Sequence, residues 1–327
     1  MTSSGRMDRS GRCVIAIFGP TGSGKTALAV EVAHRLGIRV ISADSMQLYR
    51  GFPILTNQPT AQETARAQHE LVAVAEPEEQ WSVSVYAERA AALLAEDLAT
   101  GGRALLAGGT GLYVRAALAP LGIPDVHAPE LRKRLNQEAE ELGPEALYAR
   151  LAELDPAAAR AVDPHNPRRI VRALEVVMVR GPGSWPPGDE LWRPQYRFPT
   201  LLVGLDMDRG ELYRRIELRA AAMVAGGAVD EVHRYWESCG GVLPEGAGVT
   251  KAMGFKETLR FLQGELDEEQ LVERLAAAHR RYARAQLTWL RKLEDVVIMD
   301  PSAKPVETLA QEVLMRAEEK ADREKAL

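Results

Sequence analysis

Cys13-Val-Ile-Ala-Ile-Phe-Gly-Pro-Thr-Gly-Ser-Gly-Lys-Thr26 decides the fold of this 327-residue chain. Gly19 to Thr26 satisfies the phosphate-loop pattern G-x-x-x-x-G-K-[ST] at every fixed position. The apolar run before it suits a buried parallel strand, and Ala27-Leu-Ala-Val-Glu-Val-Ala-His-Arg-Leu36 after it is a good helix former. Strand, glycine turn and helix together are the context in which the pattern has a mechanism. The glycines let successive N–H groups point into one concavity, and the helix N-terminus adds positive potential there. Lys25 offers a point charge to a phosphate and Thr26 a hydroxyl to Mg²⁺. The chain binds a phosphorylated ligand, but the loop does not say which.

Outward from the loop, the first 120 or so residues alternate short apolar runs with helical patterns, as βαβ units do. Arg39–Ser42 reads as a second strand ending at Asp44. His69–Ala75 reads as a third, followed by a helix from about Val83 to Ala99, and Arg103–Ala107 as a fourth, closed by Gly108-Gly-Thr-Gly111. Strands that end in polar or glycine turns place ligands at one edge of an open α/β sheet. The character changes near Ile123. Ala128 to Arg180 is helix-forming, Gly181 to Gly188 is a loop by composition, and strand character returns at Thr200–Asp206 and Val296–Met299. The expected fold is α/β: a P-loop core with a parallel sheet, residues 13–122 and 200–310, interrupted by a helical insertion at 123–199. Residues 1–12 read as a frayed polar tail and 311–327 as a charged, solvated helix end.

Composition narrows the classes. The apolar and charged fractions are ordinary for a globular protein, and no stretch approaches the length of a membrane span. With a formal net charge of −5, any nucleic-acid binding has to come from a local basic patch. Cys13 and Cys239 are the only cysteines, which suits a reducing cytoplasm and excludes a disulfide scaffold or a cysteine zinc site. The tail has no apolar run of the kind a signal peptide needs. A cytoplasmic protein is expected.

Several residues could carry chemistry. Asp44, after the second strand, should share a sheet edge with Lys25, either as a turn residue or as a carboxylate that takes a proton from a bound nucleophile. Thr110, between two glycines, either caps the next helix or gives a hydroxyl to a phosphate or leaving-group oxygen. The strand that in many phosphate-loop ATPases ends in a metal-holding acid here ends in Ala-Gly-Gly-Thr, and nothing marks Asp206 as a metal ligand. Late in the chain, His279–Lys292 mixes cations with Tyr282 and Trp289, a composition that stacks an unpaired base or forms an amphipathic helix with solvated arginines. Arg168, Arg169 and Arg172 form a second basic cluster. Arg215 and Arg219 share a helix face and could instead pair with Glu211 or Glu217.

Six motifs in order resemble those of the bacterial tRNA dimethylallyltransferases, relatives of the adenylate isopentenyltransferases. They are Gly19–Thr26, Asp44-Ser-Met-Gln-Leu-Tyr49, Gly108-Gly-Thr-Gly-Leu-Tyr113, Arg168-Arg-Ile-Val-Arg-Ala-Leu-Glu175, Gly254-Phe-Lys-Glu257 and Gln286-Leu-Thr-Trp-Leu-Arg291. The resemblance runs from about Val14 to Met299. It implies transfer of a dimethylallyl group from dimethylallyl diphosphate to the N6 amine of adenine 37 in tRNA, releasing pyrophosphate. Gly19, Thr21, Gly22, Ser23, Gly24, Lys25 and Thr26 would hold the pyrophosphate, with Mg²⁺ at Thr26. Asp44 would be the base, Thr110 would bond the oxygen between prenyl carbon and pyrophosphate, and Arg219 would neutralise the leaving group. Ser45 and Gln47 would hold the adenine. Arg168, Arg169, Arg280, Arg284 and Gln286 would meet the tRNA, and the insertion would clasp its anticodon stem-loop. A monomer is expected.

The chain departs from the family's usual residues at Gln58, where a lysine is common, and at Asp163, His279 and Ala285. The alternatives are an adenylate isopentenyltransferase, a P-loop small-molecule kinase and a nucleotide-binding regulator. The insertion and the basic late helix weigh against the first, and the missing metal acid against the second.

Overall fold

All six residues of strand β1 (Cys13–Phe18) are buried, because helices cover the sheet on both faces at its centre. In the computed structural model, which describes residues 12–122, 124, 126, 128–186 and 195–325, the sheet has six parallel strands. From β1 the chain passes through α1 (Lys25–Leu36), β2 (Val40–Ser42), α2 (Ala61–Arg66), β3 (His69–Glu70), α3 (Val83–Gly101), β4 (Arg103–Gly108) and α4 (Gly111–Leu118). Helices α5 (Pro129–Leu142), α6 (Pro144–Leu154), α7 (Pro156–Arg160) and α8 (Pro167–Arg180) follow, then β5 (Thr200–Leu205). The remainder is α9 (Arg209–Ala225), α10 (Ala228–Ser238), α11 (Phe255–Leu262), α12 (Glu268–Lys292), β6 (Val296–Met299) and α13 (Val306–Lys325).

The strand order is β3-β2-β4-β1-β5-β6. The chain winds outward from β1 in one direction and then in the other, so the carboxyl ends of β1, β2 and β4 meet at a topological switch point. Side chains alternate across β1 as the pleat requires. Val14, Ala16 and Phe18 pack with Tyr86, Leu94, Tyr113 and Leu287. Cys13, Ile15 and Ile17 face the other way, onto Leu28 and Val32 of α1 and Leu309 and Val313 of α13. The α/β core with a parallel sheet is as expected.

Two expected elements differ. The apolar run at 69–75 is a strand for only two residues, because Leu71 and Ala73 adopt positive φ (59° and 50°). The backbone there instead bonds the loop after β2, with Ala73 N–H donating to the Gln47 carbonyl and Val74 N–H to that of Leu48. The charged C-terminal run ends a longer helix that also carries a buried stripe. Helix α13 begins at Val306, and Ala317 and Ala321 on its apolar face are buried in the sheet's core, while the charges occupy the outer face. The expected frayed tail, apart from Arg12, lies outside the described residues, as do residues 187 and 188 of the expected loop.

Residues Ala119–Gln195 form a unit separate from the sheet, where the sequence reading sets 123–199. Each of its helices α5 to α8 starts with a proline in its first turn, where the missing N–H has no intrahelical partner to lose. Leu135, Leu147, Leu151, Ile170 and Leu174 make its own core. The carboxylate of the fully buried Glu175 is held by Arg132 and Arg172 at 2.7 and 2.8 Å. No helix among the described residues is long and apolar enough to cross a membrane.

Candidate active site

The phosphate loop has the conformation its glycines predict. Gly22 and Gly24 take left-handed φ of 84° and 83°, and Gly24 hands the chain into α1. The Ser23 hydroxyl turns inward and donates to the Pro20 carbonyl at 2.8 Å. The amides of Gly22, Gly24, Lys25 and Thr26 meet no acceptor among the described residues. They form an anion cradle at a helix N-terminus. The Thr21 amide is not part of it, since it donates to Gln286 Oε1 at 2.8 Å.

The ends of β2 and β4 are pressed together. A Cβ at Gly108 would lie 2.2 Å from the Ala43 carbonyl oxygen, so only glycine fits there. Thr110 N–H donates to that same carbonyl at 3.1 Å. This contact sets Asp44 and Thr110 side by side at the sheet edge. Asp44 Oδ1 accepts from Met46 N–H at 3.0 Å, which closes a short turn. The Thr110 side chain caps nothing. Its Oγ1 accepts from Ser45 N–H at 3.1 Å and lies 3.2 Å from the Tyr282 hydroxyl.

Asp44, Lys25, Arg219, Thr21, His279 and Tyr282 line one cleft, with Met46, Leu55 and Met253 among its apolar lining. Removal from water pushes the Lys25 ammonium down to about 8, and Arg219 nearby adds to that, while Asp44 opposes it. Burial also lowers Arg219 from the usual guanidinium range, with Asp44 acting against it. The Arg219 Nε is buried without a hydrogen-bond partner, and Nη1 donates to the Thr21 hydroxyl at 3.3 Å. Two cations thus face an empty-handed amide cradle, an arrangement made for a polyanion.

His279 is buried and shifted downward mainly by burial. Its Nδ1 lies 2.9 Å from the Leu275 carbonyl, so Nδ1 carries the proton when the ring is neutral. Among the described residues no group of three or more His, Cys, Asp or Glu side chains is placed to hold a metal. Thr26 and Asp44 line one small recess. Two hard oxygen donors of this kind fit Mg²⁺ when a phosphorylated ligand supplies further oxygens.

The structure redistributes several residues expected to meet RNA. Gln286 is buried, and its amide bolts the phosphate loop to the β4 turn: besides accepting from Thr21, it donates to the Gly109 carbonyl at 2.7 Å. Both ends of its amide are engaged inside the protein. Gln47 lines the cleft, but its amide accepts from Ser42 Oγ at 2.9 Å and donates to the Asn57 carbonyl at 2.6 Å. Trp289 is no stacking platform, because its ring lies against Gly111, where a Cβ would come within 2.5 Å of it. Arg172 leaves the basic cluster to pair with Glu175 and bond the Pro124 and Val126 carbonyls. Arg280 is paired with Glu217 at 2.7 Å, and Arg215 with Glu211 at 2.7 Å. Arg219 takes neither acid.

Arg284 is exposed, and among the described residues its side chain makes a 3.5 Å contact with the Tyr213 hydroxyl. Arg168 and Arg169 sit at the start of α8 with no acidic partner among the described residues. Gln58, at the position of the missing lysine, braces the loop by donating to the Tyr49 carbonyl at 2.7 Å. The sequence reading left out Asn57, Met253 and His279 as cleft residues. The spacing 279, 282, 286 is the one usable signal, since it puts all three on one face of a helix.

Comparison with known proteins points to one family. A family model described as IPP transferase matches residues 47–293, and one described as Isopentenyl transferase matches 12–76. A tRNA dimethylallyltransferase of Anaeromyxobacter dehalogenans is 43% identical over 93% of this chain and 99% of its own length. One from Shouchella clausii is 39% identical over 89% of this chain and 93% of its own. Among solved structures, the full-length tRNA isopentenylpyrophosphate transferase of Bacillus halodurans superposes with a TM-score of 0.70 at 33% identity, covering 96% of this chain and 99% of that one. A eukaryotic dimethylallyltransferase acting on tRNA gives 0.73 at 26% identity, over 89% of this chain and 74% of that one.

Proposed function

This chain belongs to the IPP transferase family, and we propose that its cleft carries out the tRNA dimethylallyl transfer for which its relatives are named. The substrates are dimethylallyl diphosphate and the exocyclic amine of adenine 37 beside the tRNA anticodon. The observation that carries this reading is the placement of Asp44, Lys25 and Arg219 on one cleft above a cradle of unpaired amides.

An exocyclic adenine amine is a weak nucleophile because its lone pair is delocalised into the ring. It needs a proton acceptor and a strongly activated carbon. In the transfer the bond from the allylic carbon to the bridging oxygen breaks, a bond from N6 to that carbon forms, and pyrophosphate leaves with the bond electrons. Asp44 takes the amine proton. Lys25, Arg219 and the loop amides stabilise the negative charge as it develops, and Thr110 donates to the bridging oxygen. Thr26, with Asp44 beside it, would hold Mg²⁺, which supplies further charge neutralisation to the diphosphate. Ser45 and Gln47 form the wall against which the adenine rests, with Gln47 acting as a braced surface.

The adenine must leave its stack to reach the sheet edge, which costs least in an anticodon loop. Arg168, Arg169 and Arg284 supply phosphate contacts to that stem-loop, with Arg280 contributing once released from Glu217. The enzyme acts as a monomer in the cytoplasm. The deciding experiment incubates the protein with Mg²⁺ and labelled dimethylallyl diphosphate, separately with unmodified tRNA and with AMP. Label in tRNA at adenine 37 supports the reading. Label in AMP alone makes the protein an adenylate isopentenyltransferase, and ATP turnover without transfer makes it a kinase.

A further inference from the structure

Thr110 has one hydroxyl proton and two lone pairs. If it stabilises the leaving oxygen, as the reading above holds, that proton has to be free to point at the substrate. Three protein groups compete for Oγ1: the Ser45 amide at 3.1 Å, the Ser45 hydroxyl at 3.3 Å and the Tyr282 hydroxyl at 3.2 Å. The amide can only donate. The direction of the Tyr282 bond therefore decides where the Thr110 proton goes.

Besides its contact with the Gln286 side-chain amide, the phenol has two oxygens in reach that could accept its proton. One is the Gly109 carbonyl at 3.4 Å, which already accepts from Gln286 Nε2 at 2.7 Å. The other is Thr110 Oγ1, which is nearer. Burial and the charge of Asp44 hold the phenol above its ordinary range, so it keeps its proton. When Tyr282 donates to Thr110, donors fill both lone pairs of Oγ1. The Thr110 proton is then left with only the long contact to Ser45 Oγ, which a substrate oxygen can replace. When Tyr282 accepts, the same proton is tied up inside the protein.

We infer that Tyr282 is a positioning residue, which donates to Thr110 and thereby aims the Thr110 hydroxyl proton at the bridging oxygen of the allylic diphosphate. The inference rests on the reading of Thr110 given above. It also explains why the tyrosine sits on the same face of α12 as Gln286. That glutamine takes one lone pair of the Gly109 carbonyl, whose second lies 3.4 Å from the phenol, so Thr110 Oγ1 at 3.2 Å is the nearer acceptor.

The test is a double-mutant cycle in the transfer reaction at saturating tRNA, with Tyr282→Phe, Thr110→Ala and the double variant. Tyr282→Phe is expected to lower kcat about tenfold with KM for dimethylallyl diphosphate nearly unchanged. Thr110→Ala is expected to lower kcat by about 10². The double variant is expected to match Thr110→Ala alone, because the phenol has nothing left to orient. A kcat for Tyr282→Phe at or above wild type would mean the phenol accepts, and would overturn the inference. Losses that multiply in the double variant would assign Tyr282 a structural role independent of Thr110, and would overturn it too. Wild-type turnover in Thr110→Ala would remove Thr110 from the mechanism itself, a failure visible without the tyrosine variants.

Discussion

Lys25 offers a direct measure of whether the cleft is tuned for a polyanion. In the free protein, desolvation outweighs the attraction of Asp44, and the ammonium titrates at about 8. A bound diphosphate would restore the charge, since an anion in contact favours the protonated form. Binding is then coupled to proton uptake. Below pH 8 Lys25 is already charged and binding takes up little. As pH rises through 8, a growing fraction of free protein must be protonated before it binds, and apparent affinity falls. With a free-state value of about 8 and a bound-state value well above 9, the dissociation constant rises by a factor of about 2 at pH 8 and about 11 at pH 9, relative to its low-pH limit. Uptake is about half a proton at pH 8 and about nine-tenths at pH 9.

Isothermal titration calorimetry of a non-reacting diphosphate, in buffers of different ionisation enthalpy, reads both quantities. The ligand's own titration is removed by repeating the series with Lys25→Arg, whose guanidinium stays charged throughout. The wild-type protein should lose about tenfold more affinity than the arginine variant between pH 7 and pH 9. Parallel curves for the two proteins would refute the reasoning. They would mean that the attraction of Asp44 overcomes the loss of hydration and that the free cleft holds a fully charged lysine.

Asp44→Ala should lower kcat by about 10² or more, with tRNA affinity within about twofold. Asp44→Asn, which keeps an acceptor for Met46 N–H, should be as inactive, and recovery of turnover in either variant would remove Asp44 as the base. Arg284→Ala combined with Arg280→Ala should weaken tRNA binding and flatten its salt dependence, because each lost phosphate contact reduces the slope by about one. Most of that change should come from Arg284, since Arg280 first has to leave Glu217; an unchanged slope would make this helix face a solvated one. Gln286→Leu should destabilise the fold by about 2–4 kcal/mol in denaturant unfolding, because it strands the buried Thr21 amide and Gly109 carbonyl. A stability loss below about 1 kcal/mol with weakened tRNA binding would return Gln286 to the RNA surface.

What could be read from the sequence and what could not divide along a physical line. The phosphate loop, Asp44 and Thr110 lie within a few residues of strand ends, and a parallel sheet brings strand ends together whatever the rest of the chain does. Local pattern was therefore enough to place them. Gln286 shows the other case. It lies 265 residues from Thr21, and a glutamine in a basic helix looks the same in sequence whether it faces a phosphate or a buried amide. Only the packing of α12 against the core decides, and that packing is set by Ala283, Leu287 and Leu290 on one side and by the absence of a Cβ at Gly111 on the other. The arginines fail for a related reason. Arg172 and Arg168 are four residues apart on α8, yet one lies beside the fully buried Glu175 and the other meets solvent. A charge run reports that a helix has a polar face but not which charges find a partner inside it. The helix boundary at α13 was missed because alternating charge at 316–325 masked Ala317 and Ala321, whose small side chains carry little hydrophobic signal but allow close approach to the sheet. Sequence therefore locates groups that the backbone topology itself brings together. It loses those whose neighbours are chosen by shape, and Gln286, which ties the phosphate loop to the β4 turn, is of the second kind.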